Sequence, residues 1–149
     1  MTMTERSLET IDTPSLLIDR DRLERNLRRM QEKADRFGVK LRPHTKTHRC
    51  PALARRQEEL GAAGITVAKL GEAEVMAREG LTDIFIANEI VGPIKLRRLR
   101  ALAETGIRLA VGADNSVHVD ILSQAFRDSC VRLDVLVDVD TGDPRTGMP

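Results

Sequence analysis

Five short apolar runs, beginning near residues 39, 65, 83, 107 and 133, alternate with stretches whose apolar residues recur at helical spacing. Strand, helix, strand in this order implies parallel strands joined by helical crossovers, because a parallel neighbour must start again from the same end of the sheet. Two architectures satisfy that rule, an open doubly wound sheet and a (β/α)8 barrel. A Gly-x-Gly-x-x-Gly turn after the first strand would favour a dinucleotide fold, and none is present. The expected fold is therefore α/β, a partial (β/α)8 TIM barrel of about five parallel strands preceded by an N-terminal strand. A full barrel takes roughly 250 residues. The 149-residue sequence stops at Gly147-Met148-Pro149, soon after its fifth strand, and reads as a barrel cut at that point. The expected organisation is a flexible stretch over 1–12 and barrel over 13–149.

Local signals place the elements. Thr13 to Ile18 reads as the N-terminal strand, with Pro14 at its edge. Asp19 or Asp21 then caps a helix whose inward face is Leu23, Leu27, Met30, Ala34 and Phe37, stopped by Gly38. Pro51 suits a first helical residue, with Leu53, Ala54, Gln57 and Leu60 in period. A short helix follows over Gly71–Glu79. Pro93 opens another with Ile94, Leu96, Leu99 and Leu102 inward. Asp114, Asn115 or Ser116 caps the last, which carries Val117, Ile121, Leu122 and Ala125, with His118 expected at its surface.

Composition removes several function classes. Lys plus Arg is 24 against 23 for Asp plus Glu, so a strongly basic nucleic-acid binder is excluded. Three Phe, with no Tyr or Trp, leave no stacking platform for single strands. No apolar run is long enough to span a membrane, and Met1 to Asp12 lacks the apolar core of a signal peptide. Cys50 and Cys130 make neither a disulfide framework nor a metal-type pair, which points to the reducing cytosol and a cytoplasmic location.

The densest polar cluster is Arg42-Pro43-His44-Thr45-Lys46-Thr47-His48-Arg49, at the C-terminal end of the first β-α strand. In a barrel that end is the active-site face. On an extended backbone His44, Lys46 and His48 share one direction. Lys is scarce here, five residues against 19 Arg, so this one stands out. A lysine that attacks a carbonyl must be neutral, and neighbouring cations such as Arg42 and Arg49 favour that state. Condensation with pyridoxal phosphate is one such use, with the imidazoles moving protons. A basic strand end paired to neighbouring carboxylates fits the spacing equally well. His44 and His48 as metal ligands is a weaker reading, since no third ligand stands near. Lys69 ends another strand and is a rival amine, with pairing to Glu72 or Glu74 as its plainer role. Asn88 suits a ligand donor or a loop cap. Asp138 and Asp140 leave their strand on one side and are expected to pair with Arg145. Cys50 reads as a small buried residue, and Arg97, Arg98 and Arg100 as a solvated helix face.

Pro43 to His48, Pro-His-x-Lys-Thr-His, resembles the lysine motif of the D-threonine aldolase and D-serine dehydratase family, fold-type III pyridoxal-phosphate enzymes related to alanine racemase. The likeness runs from about Thr13 to Pro149. It includes Asp19 to Asn26, Lys69-Leu70-Gly71-Glu72-Ala73-Glu74, Ile86 to Gly92, Val137 to Gly142 and Arg145-Thr146-Gly147. The resemblance implies an alanine racemase N-terminal-like barrel that binds pyridoxal 5'-phosphate, with Lys46 forming the internal aldimine. It implies Arg145 near the phenolic oxygen. Beside these, His44 is expected at the cofactor and His48 in proton transfer. Asp143-Pro144 departs from the family's pattern in the Arg145 loop.

The implied function is the N-terminal part of a lyase acting on small D-hydroxy-amino acids, by aldol cleavage or by dehydration. The family's divalent-metal ligands and a β-rich second domain lie beyond this sequence. No metal site is therefore expected within it, and the 149 residues alone are expected to lack parts that turnover needs. Exposed sheet edges would favour a homo-oligomer. Two other readings stand beside the lyase: a pyridoxal-phosphate carrier without turnover, and a fragment without function.

Overall fold

The computed structural model describes residues 10–143 and 145–149. The expected flexible stretch over 1–12 lies largely outside the described residues, as does Pro144. Helix α1 spans Arg20–Arg36 and α2 Pro51–Glu59. The alternation then runs β1 (Ile65–Val67), α3 (Leu70–Arg78), β2 (Asp83–Ile86), α4 (Pro93–Ala103), β3 (Arg108–Ala113), α5 (Ser116–Phe126) and β4 (Asp134–Val137). All pairings are parallel and the spatial order is β1-β2-β3-β4. Each crossover steps one strand in the same direction. A doubly wound sheet would reverse its order at some point, so the barrel arrangement is the one adopted.

The register explains the core. Ile65, Ile84 and Leu109 lie side by side across three strands, as do Val67, Ile86 and Val111. All six are buried beneath the helices, with Leu70, Ala73, Met76, Leu99, Leu102 and Leu122 facing them. Side chains alternate across a strand, so Thr66, Phe85, Ala110 and Gly112 project to the other face, the inside of the barrel. Each buried Leu, Ile or Val contributes about 1.5–3 kcal/mol.

The first expected β-α strand, Val39–Pro43, is extended but only loosely laddered. Ala63 N–H donates to Leu41 O (2.9 Å) and Thr66 N–H to Pro43 O (2.8 Å), and His44 bridges Thr66 in parallel. It forms the edge beyond β1.

The N-terminal strand over Thr13–Ile18 does not form. Leu16, Leu17 and Ile18 are exposed, and among the described residues no backbone stands beside them to complete a ladder. Four other expectations shift. Ile94 and Val117 sit in the first turns of α4 and α5 and point to solvent, while Leu99 and Leu122 further along are buried. Phe37 caps α1 rather than continuing it and is exposed, as is Met30.

Caps follow the sequence signals. Asp19 accepts from Arg22 N–H (2.9 Å) and Asn115 from His118 N–H (2.8 Å). Helix α1 is held to α2 by a two-point pair, Arg56 Nε and Nη2 each 2.8 Å from a Glu24 oxygen. At the strand starts, Arg42 pairs with Asp83 (2.8 Å), Asp83 with Arg108 (3.4 Å) and Arg108 with Asp134 (3.4 Å). Charge therefore alternates across the bottom of the sheet.

Candidate active site

The segment after the edge strand does not stay extended. Thr45–Thr47 is a single 3-10 turn, and this overturns the expected alternation. Thr45 is buried, its hydroxyl donating to Thr66 O (3.2 Å). His44 precedes the turn and caps it, Nδ1 accepting from Lys46 N–H (3.3 Å). His48 follows it, Nδ1 accepting from Cys50 N–H (3.0 Å), with Nε2 buried and unpartnered among the described residues. The turn rotates the two imidazoles apart: His44 and Lys46 line one cavity, and His48 faces away into the α2 junction. Cys50 occupies the N-cap position of α2 and is only half-buried.

The cavity lies at the C-terminal ends of the strands and measures about 400 Å³, a size typical of small-molecule sites. Lys46 and His44 come from the edge segment. Ala68 extends β1, Phe85 lies in β2, and Asn88 and Glu89 lie in the loop after β2. Gly112 belongs to β3, while Leu136 and Asp138 come from β4 and its extension. Arg145 and Thr146 also reach it. They do so because residues 146–148 return alongside 138–140, with Asp140 N–H donating to Met148 O (2.8 Å) and Met148 N–H to Asp138 O (2.9 Å). Gly147 makes that return possible: at φ +105° a Cβ there would stand 2.5 Å from Asp140 N. The four residues singled out in the sequence are thus split, with Lys46, His44 and Arg145 on one cavity and His48 outside it.

Several neighbours take roles other than those expected. Among the described residues no ion pair joins Arg145 to Asp138 or Asp140; Asp140 instead accepts Gly142 N–H (2.8 Å). Lys69 precedes α3, is exposed and lies off the cavity. Glu72, the partner expected for it, accepts Ala68 N–H (2.8 Å) and stands 3.6 Å from Arg49, while Glu74 binds Arg98. Arg100 pairs with Glu104 and donates to the carbonyls of Ala125 and Asp128, so the Arg97–Arg100 face is partly engaged. Arg49 adopts φ +47°, the left-handed region where a non-glycine residue is strained. It ends the Lys46 turn, its N–H donating to Thr45 O (2.7 Å). His118 is buried rather than at the surface. Asn88 and Glu89 were reachable from sequence only as a strand end; the curvature of the sheet carries them to the cavity.

Burial first, then the adjacent Lys46 charge, hold the His44 imidazole below its ordinary value, with Glu72 pulling the other way. The ring is therefore neutral at pH 7, as its acceptor role toward Lys46 N–H requires. A group depressed in the fold adds stability above its unfolded value and loses it as pH falls through the folded one. Thermal unfolding midpoints should accordingly fall as pH drops from about 7.5 to about 5.5, and His44→Asn should flatten that slope. An equal slope in both proteins would contradict the assignment.

Among the described residues, no group of three or more His, Cys, Asp or Glu side chains could hold a metal ion. No helix among them is long and apolar enough to cross a membrane.

Comparison with known proteins agrees with this geometry. The chain is 46% identical over 141 residues to a D-threonine aldolase from an Arthrobacter species, covering 95% of this chain and 37% of that protein. It is 37% identical over 142 residues to the D-threo-3-hydroxyaspartate dehydratase of Delftia sp. (strain HT23), covering 95% and 37%. The crystal structure of D-threonine aldolase from Filomicrobium marinum superposes with a TM-score of 0.90 at 42% identity, over 95% of this chain and 38% of that one. The chain thus spans little more than a third of the length of these relatives. Residues 18–149 match the family described as alanine racemase, N-terminal domain, and the chain belongs to that family.

Proposed function

We propose that residues 13–149 form the N-terminal part of a pyridoxal-phosphate-dependent lyase acting on D-hydroxy-amino acids, of the D-threonine aldolase or D-serine dehydratase type. The observation that carries this reading is the convergence of Lys46, His44 and Arg145 on one cavity at the C-terminal strand ends. The donor set fits the cofactor: a primary amine for its aldehyde, and a fixed guanidinium charge with an imidazole for its anionic oxygens. When bound, pyridoxal phosphate supplies the aldehyde and an aromatic ring that takes up the electrons of a bond broken at Cα.

The chain's own residues supply the surroundings. Lys46 presents its amine from a turn anchored by buried Thr45 and capped by His44. With Nδ1 of His44 accepting a backbone bond, its Nε2 carries the proton and can donate it to a ligand oxygen. Arg145 brings a fixed positive charge to the cavity that would suit an anionic oxygen of the cofactor. Glu89 and Asp138 offer carboxylates suited to a substrate ammonium. His48 fixes the exit of the turn through Cys50 N–H.

The choice between Cα–Cβ cleavage and loss of the β-hydroxyl is not made by these residues, which span little more than a third of the relatives' length. The free thiols Cys50 and Cys130 support a cytosolic setting. Exposed Val135, Leu136 and Val137 on β4 support self-association in the 149-residue form. The test is to incubate the protein with pyridoxal phosphate, reduce with borohydride and map the modified peptide. A label on Lys46 is the expected result; a label on Lys69, or none, overturns the reading.

A further inference from the structure

His118 lies in the first turn of α5, 3% exposed, with its backbone N–H held by Asn115. Its ring Nε2 stands 3.1 Å from Ile90 O. A carbonyl only accepts, so Nε2 carries the hydrogen and donates it to Ile90 O. Its Nδ1 is buried with no partner among the described residues. Ile90 is itself buried and ends the stretch whose two preceding residues, Asn88 and Glu89, line the Lys46 cavity.

That stretch is irregular backbone with few other anchors. On the cavity side Asn88 donates through Nδ2 to Ala68 O (3.3 Å), and its Oδ1 accepts Glu89 N–H (3.0 Å). On the core side the bond from His118 is what engages the Ile90 carbonyl. The loop then leaves through Gly92 at φ +88°, a residue free to take many conformations.

We propose that His118 is a positioning residue: its Nε2–H holds Ile90 O and thereby sets the Asn88–Glu89 wall of the cavity. The inference rests on the reading that this cavity binds pyridoxal phosphate. A buried carbonyl left without a donor seeks water, and the loop that carries it opens to find it. A purely structural imidazole would stabilise α5 and the core without acting selectively on the loop.

The experiment compares His118→Met, which fills the space without a donor, with His118→Gln, which restores an N–H at similar reach. Amide hydrogen exchange on the unliganded proteins reads the loop, and equilibrium dialysis reads pyridoxal-phosphate affinity. His118→Met should accelerate exchange across residues 88–91 about tenfold, leave the β3 and α5 amides unchanged, and weaken binding about tenfold. His118→Gln should recover most of both. Unchanged loop exchange, or acceleration spread equally over β3 and α5, overturns the proposal. Should neither variant fold, nitrogen NMR of the wild-type ring decides: an Nδ1–H tautomer overturns the proposal and an Nε2–H tautomer upholds it. Wild-type protein that binds no pyridoxal phosphate would defeat the cofactor reading alone, since the exchange measurement still judges the loop.

Discussion

Replacing Lys46 by methionine should abolish borohydride-stable attachment of pyridoxal phosphate and weaken its equilibrium binding by at least about a hundredfold, some 2.7 kcal/mol. The size follows from what the amine does. Under the proposed function it is the nucleophile for the aldehyde, and its charge also acts on His44. Lys46→Arg separates these two contributions. It keeps a cation in the cavity without a condensable amine, so covalent attachment should vanish while part of the non-covalent affinity survives. Neither change should unfold the protein, because the Lys46 side chain is exposed and the turn is held by Thr45 and His44. Retained borohydride labelling in Lys46→Met would remove the basis of the proposed function.

The second large effect concerns folding. Gly64→Ala should cost about 3 kcal/mol or more and lower the unfolding midpoint by about 10 °C. Gly64 enters β1 at φ +139°, a conformation that side-chain-bearing residues rarely adopt. A Cβ there would lie 2.6 Å from the backbone oxygen of Asp83 and 2.5 Å from Arg42 Nη1. Arg42 could swing aside, but only by giving up its pair with Asp83 and its contact with Ile65 O. The Asp83 carbonyl cannot move without shifting the start of β2. Gly80→Ala is the control: φ is +91° and nothing lies within 4 Å, so only backbone strain remains, about 1 kcal/mol. Equal losses in the two variants, measured by denaturant titration, would show that the close approach at Gly64 is relieved cheaply.

The Lys46 neighbourhood was legible in the chain itself, because Pro43, His44, Lys46 and His48 are consecutive enough to read as one motif. The direction of each side chain was not. Period-two alternation would put both imidazoles beside the amine, but the 3-10 turn over Thr45–Thr47 sends His48 toward Cys50. Arg145 was identifiable by type and neighbours. Its arrival at the cavity depends on the return of residues 146–148 along the extension of β4. His118 looked like a surface residue of an amphipathic helix and is buried because the loop after β2 crosses over it.

By itself the sequence determined the order and kind of the elements from β1 onward, narrowed the helix caps to two or three neighbouring residues each, and marked Lys46, with Lys69 as its rival, as the amine candidate for carbonyl chemistry. These are encoded locally, by side-chain period, capping oxygens and glycine stops acting within a few residues. Only the tertiary structure decided the rest. It left Leu16–Ile18 without a ladder, set the charge on His44 and turned His48 away. It also placed Asn88, Glu89 and Arg145 on one cavity with Lys46. Each of these depends on burial and on bonds between residues distant in the chain, and no local pattern carries that information.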